Sequence, residues 1–121
     1  MKKICLVIFV VSALVITISG CTDDRPANVR EGVYLLGLEV LAVTDEYLDM
    51  QIAPSEARNR IDGLNRRFDD FTDRTQEENS IRAGARQLTR CLDTLIVGIG
   101  TYEDILDSRN RLAERLNKRT R

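Results

Sequence analysis

The chain of 121 residues has no histidine and no tryptophan, and only three cysteines. Without histidine, the commonest general base and the commonest metal ligand are both missing. The sequence also has no glycine-rich phosphate loop, no internal repeat, no low-complexity tract and no nucleophile motif. Enzyme function is therefore not expected, and no cofactor and no metal is called for. An excess of basic charge is also missing: 18 Lys and Arg stand against 19 Asp and Glu, a balance that does not suggest a nucleic-acid partner.

What the chain does have is a distinctive beginning. Met1-Lys2-Lys3 is a short cationic start, and residues 4 to 18 (ICLVIFVVSALVITI) form an apolar run broken only by Ser and Thr. These are the n-region and h-region of a secretory signal. The following Ile18-Ser19-Gly20-Cys21 resembles the lipobox of bacterial lipoproteins, with an aliphatic residue, two small residues that fit a peptidase cleft, and a cysteine whose thiolate takes diacylglycerol. The resemblance covers residues 1 to 21 only. It implies cleavage by signal peptidase II after Gly20, lipid on Cys21, and a partner that is the membrane itself.

Two or more acyl chains, at about 0.8 kcal/mol for each buried CH₂, would make that anchoring permanent. The alternative is one uncleaved transmembrane helix, but the apolar stretch is at the short limit for a hydrocarbon core of about 30 Å. Thr22 stands where Asp is associated with inner-membrane retention, so in a host with two membranes the outer one is favoured, on the extracytoplasmic side. Cleavage would remove Cys5 and lipidation would occupy Cys21, leaving no pair for an intramolecular disulfide. Cys91 sits in a helical pattern beside an apolar stripe, as a packed structural thiol does. The expected organisation is a signal peptide (1–20), a lipidated amino terminus and tether (21–27, with Pro26), a helical body (28–117) and a basic tail (118–121).

The body reads as all-α. Val29, Val33, Leu36, Val40, Val43, Tyr47 and Met50 recur in four and three residue steps, and Leu35, Leu38, Leu41 and Leu48 widen that face. Pro54 then favours the first turn of a second helix with its stripe at Ala57, Ile61, Leu64, Phe68 and Phe71. Thr72 to Asn79 is polar throughout and makes a turn. A third pattern follows through Ile81, Ala85, Leu88, Leu92, Leu95, Ile99, Tyr102, Leu106, Arg109, Ala113 and Leu116 without losing phase. Gly84, Cys91 and Gly98 flank it every seven residues and let a neighbour approach closely.

An unbroken third helix would span about 60 Å, against about 36 Å and about 28 Å for the other two. Either its end overhangs, or Gly98-Ile99-Gly100 breaks it and Thr101 caps a fourth helix that folds back. Thr101 to Asp104 resembles a capping box, which favours a break, whereas the unbroken phase favours one continuous, kinked helix. The phase makes the preferred fold an antiparallel three-helix bundle with a long third helix, and the break makes it a four-helix bundle. On the preferred fold, Tyr102, Ile105, Leu106, Leu112, Ala113 and Leu116 form an uncovered apolar surface that would bury a second copy or an envelope protein partner.

Charge is distributed unevenly. Residues 21 to 56 hold eight acids and two Arg, whereas residues 109 to 121 hold six Arg or Lys against Glu114 alone. Arg115, Lys118, Arg119 and Arg121 are accordingly candidate contacts for an anionic wall or lipid polymer, or else a frayed solvated end whose cations suit the negative pole of the last helix. Asp45, Asp49 and Glu56 have calcium-loop spacing, but Tyr47 and Met50 fall where a ligand and a glycine are required. The carboxylate pairs Asp69-Asp70, Glu77-Glu78 and Glu103-Asp104 imply no cleft for a glycosidase. The function expected is that of a membrane-anchored extracytoplasmic lipoprotein with a non-enzymatic, structural or interaction role.

Overall fold

The computed structural model describes residues 24–121; the signal segment and the lipobox residues Ile18, Ser19, Gly20 and Cys21 lie outside the described residues. Among the described residues all regular structure is helical. Helix α1 (Glu31–Leu48) is followed by α2 (Pro54–Arg67), which tightens into a 3₁₀ turn (Phe68–Asp70), and then by α3 (Gln76–Ile96) and α4 (Tyr102–Arg115).

Helix α1, like α3, packs on each of the other three helices. Its apolar face is wide enough to do so: Val33, Leu36, Val40, Leu41, Val43 and Leu48 are all buried, as the stripe and its flank require. Gly37 sets the closest approach, since a Cβ there would lie 2.7 Å from the Leu116 side chain and 3.1 Å from that of Ile81. In α2, Pro54 occupies the first turn, and Ala57 and Ile61, with Phe68 of the following 3₁₀ turn, are buried in the same core. An ion pair of 2.8 Å joins Arg58 near the start of α2 to Asp93 near the end of α3, so these two helices run in opposite directions.

Helix α3 begins near Thr75, several residues before the end of the polar turn expected from composition. A reciprocal cap causes this: the Glu78 N–H donates to Thr75 Oγ1 at 3.1 Å, and the Thr75 N–H donates to the Glu78 carboxylate at 3.0 Å. Two orphan amide donors are satisfied at once.

The expectation of one continuous third helix is not met. Helix α3 ends at Ile96, and Gly98 takes a left-handed conformation (φ +87°). The Ile99 N–H reaches back to the Thr94 carbonyl and the Gly98 N–H to the Leu95 carbonyl, both at 3.0 Å, which is the Schellman pattern of helix termination. Thr101 and Asp104 then cap α4 reciprocally. Ile99 and Tyr102, the residues that preserved the apolar phase, are 79% and 43% exposed in and beside the turn. The face that α4 buries runs instead through Ile105, Ser108, Arg109, Leu112 and Ala113. The seam of small residues receives this returning helix: Gly84 faces Leu112, and Cys91 Sγ lies 3.3 Å from Ser108 Oγ.

The same Schellman hydrogen bonding ends α1 at Met50 (φ +62°) and α4 at Asn117 (φ +55°). At Gly98 a side chain meets open space and suffers only from the backbone conformation, whereas at Gly100 a Cβ would lie 2.9 Å from the Leu95 amide nitrogen. Gly98→Ala should therefore cost about 1 kcal/mol in urea denaturation, and Gly100→Ala should cost more, with little change in helical circular dichroism for either. The reverse order would contradict this turn geometry.

Candidate interaction surface

The surface expected from an overhanging third helix does not exist, because the helix that was to carry it turns back into the core. Ile105, Leu112, Ala113 and Leu116 are fully buried, and Leu106 packs partly against the same cluster. Of the six residues only Tyr102 keeps substantial exposure. The apolar area that seemed to need a partner is covered by α1 and α3 of the same chain.

The reversal also accounts for the uneven charge. With α4 folded back, the basic end of the chain meets the acids of the first segment. Lys118 Nζ pairs with Asp24 at 2.9 Å, and Asn117 Nδ2 donates to the Asp24 carbonyl. Arg109, at the core position noted in the sequence, is almost fully buried and grips Asp45 with two parallel hydrogen bonds of 2.8 and 3.1 Å. Its remaining nitrogen donates to the Arg119 carbonyl at 2.7 Å, drawing the last residues along α4. Arg121 then bridges Asp45 and Asp49 at 3.2 and 2.6 Å. All three carboxylates with calcium-loop spacing thus hold a guanidinium, Glu56 through Arg60 at 3.8 Å.

Of the four candidate anion contacts, Lys118 and Arg121 are paired within the chain, and those pairings raise both pKa values, through Asp24 for Lys118 and through Asp49 and then Asp45 for Arg121. Arg115 donates to the Ser80 carbonyl at 2.9 Å, and Arg119 is engaged through its backbone. The last residues lie along α4, with two of the four candidate cations paired to carboxylates of the chain.

A second buried charge lies at the end of the bundle where the chain enters. Glu78 is inaccessible to solvent, and each of its carboxylate oxygens accepts twice: from the Arg30 N–H and Nε, and from Arg30 Nη2 and the Thr75 N–H. One carboxylate therefore joins the start of α1 to the start of α3. The hydrogen bonds from Arg30 outweigh burial and hold its pKa down at about 2. The Arg30 guanidinium also lies 5.3 Å from the centre of the Phe71 ring, whose edge fills the space beside Gly32.

The opposite end is built from the α1–α2 and α3–α4 turns. Tyr47 and Tyr102 approach to 6.5 Å between ring centres, and burial followed by Tyr102 raises the Tyr47 pKa. With Met50, Ile52 and Pro54 they line an open cleft of about 450 Å³. Met50 is 90% exposed and Val97 69%. Sequence periodicity placed Met50, Ile99 and Tyr102 on core stripes, and so missed this surface; the signal available was the set of helix-stop residues around them.

Among the described residues no cluster of carboxylates and thiols is arranged to hold a metal ion. Cys91 is buried, as expected of a packed thiol, and in no disulfide among the described residues. The carboxylate pairs serve as structural partners, with Asp69 taking Arg82, Glu77 taking Asn28 and Asp104 capping α4. Compared with family models, with curated proteins and with solved structures, the chain matches none of them.

Two outcomes follow from these charges. Asp45→Ala leaves the buried Arg109 guanidinium uncompensated and should lower stability by about 3 kcal/mol in urea denaturation, whereas Arg119→Ala should stay within about 0.5 kcal/mol of the parent. Because the folded pKa of Glu78 is depressed from the ordinary 4.5 to about 2, its contribution is complete above pH 4.5 and is lost as the pH falls toward 2. Glu78→Gln should be less stable at neutral pH and should lose less stability across that acid window, measured by thermal melts at stepped pH.

Proposed function

We propose that this chain is a lipoprotein of the bacterial cell envelope, held on the extracytoplasmic face of a membrane by acyl chains on Cys21. Its body is an antiparallel four-helix bundle that works by presenting a surface to another protein, without catalysis. The observation that carries the reading is the run from the Lys2-Lys3 start through fifteen apolar-rich residues to Ile18-Ser19-Gly20-Cys21. In a host with two membranes, Thr22 favours the outer one.

The docking of Asp24 on Lys118 and Asn117 supports this arrangement. Asp24 lies three positions after Cys21, and three steps of about 3.6 Å allow a reach of about 11 Å. The end that holds the Arg30–Glu78 pair would then face the bilayer. The α1–α2 and α3–α4 turns would face away from it, by about the 30 Å that a helix of α3's 21 residues spans.

The reading in which the basic end binds an anionic wall or lipid polymer has less support, since Lys118 and Arg121 already hold carboxylates of the chain. The dimer that an overhanging helix would have required has lost its motive, because that surface is internal.

The test is direct. In a bacterial host, Cys21→Ala should abolish incorporation of labelled palmitate and leave the precursor at its full mass. A Cys21→Ala product still cleaved before residue 21, or a parent chain carrying no acyl group by intact mass, would overturn the anchor.

A further inference from the structure

Six large apolar side chains stand exposed among the described residues, and five of them lie at one end of the bundle: Met50, Ile96, Val97, Ile99 and Tyr102. They come from two turns that adjoin one another. The Tyr47–Tyr102 contact ties the end of α1 to the start of α4, and the Arg58–Asp93 pair ties the start of α2 to the end of α3. Isolated exposed apolar residues are normal on a soluble surface, but a cluster confined to one end, beside an open cleft of about 450 Å³, marks a contact area.

The surrounding charge selects the occupant. Residues 45 to 60 and 93 to 104, which build this end, carry seven carboxylates (Asp45, Glu46, Asp49, Glu56, Asp93, Glu103 and Asp104) against Arg58 and Arg60. Arg109 and Arg121 add two further cations, so that five of the seven carboxylates are already paired, Asp45 and Asp49 by these two, Asp93 by Arg58, and Glu46 and Glu56 by Arg60, and a net of three negative charges remains. Glu103 and Asp104 sit in the first turn of α4, where no Lys or Arg among the described residues pairs with them. An anionic bilayer or a second copy of this end would press negative charge against this rim, whereas a surface bordered by cations would be drawn to it.

We propose that the end formed by the α1–α2 and α3–α4 turns docks a protein whose apolar seat is bordered by lysine or arginine. The aliphatic side chains of Met50, Val97 and Ile99 enter the seat, and Glu103 and Asp104, the rim carboxylates without an ion pair among the described residues, orient it. This deepens the reading of the bundle as an interaction module and does not depend on lipid at Cys21.

The probe is a pair of amphipathic helical peptides of about 16 residues with the same leucine face, one bordered by lysine and the other by glutamate. They are titrated into the full lipoprotein in nanodiscs of neutral lipid, with methyl resonances of the protein as readout. The lysine-bordered peptide should bind at least about tenfold more tightly than its counterpart and more weakly as salt rises from about 0.05 to about 0.3 M. It should shift the methyl signals of Met50, Ile96, Val97 and Ile99. Val97→Asn with Ile99→Asn leaves the charge unchanged and should weaken binding by about tenfold, with the melting profile checked alongside.

Equal binding of the two peptides, or affinity that ignores the double substitution, overturns the proposal. Self-association in sedimentation that the double substitution abolishes would assign the surface to a second copy. Methyl shifts that appear on changing to phosphatidylglycerol nanodiscs would assign it to lipid. An acylated chain that ignores the lysine-bordered peptide defeats this inference alone, whereas a chain without acyl groups that still binds it defeats only the anchor.

Discussion

The reversal between Ile96 and Thr101 governs the position of everything that follows it. A Schellman stop and a reciprocal cap are separated by only a few residues, so α3 cannot continue and α4 starts in a new direction. Once α4 runs back along α3, the seam at Gly84 and Cys91 has its neighbour, Leu116 reaches the face of α1 at Gly37, and Arg109 arrives opposite Asp45. These contacts join residues far apart in the chain, 64 positions apart for Arg109 and Asp45. None of them is available to an extended third helix.

Two buried charges fix this arrangement more narrowly than apolar packing alone does. Leucines and valines tolerate small shifts between helices, but a guanidinium that must meet both oxygens of one carboxylate does not. Arg109 sets the height of α4 against α1, and Glu78 sets the start of α3 against the start of α1. A mispacked bundle would leave one of these charges buried without a partner, which costs several kcal/mol. The pairs thus contribute more to the choice among packings than to the depth of the chosen one.

The helical class, the first two helices and the wide face of α1 were legible in the sequence because periodicity reports burial directly. The break was legible only in its caps, because the apolar phase opposed it: Ile99 and Tyr102 fell on the projected stripe while standing outside the core. The capping residues at Thr101 and Asp104 carried the correct signal, and the same kind of box at Thr75 and Glu78 carried the true start of α3. The charge asymmetry was visible but pointed outward as long as α4 had no place to return to. The apolar end at Met50 and Val97 was hidden for the complementary reason, since periodicity assigns any apolar residue in register to the interior.

The Arg30–Glu78 junction has a mechanical meaning if the tether at Cys21 is where the protein is held. A pull on the amino-terminal segment would first load the contacts of Asp24 with Lys118 and Asn117, which are exposed and give way to solvent easily. The tension would then pass through Asn28, held by Glu77 and Thr75, to Arg30, whose hydrogen bonds to one carboxylate and to the Thr72 carbonyl act together and share the load. The weak link yields before the strong one, so the segment between them would lengthen the leash by a few residues while the helices stay folded.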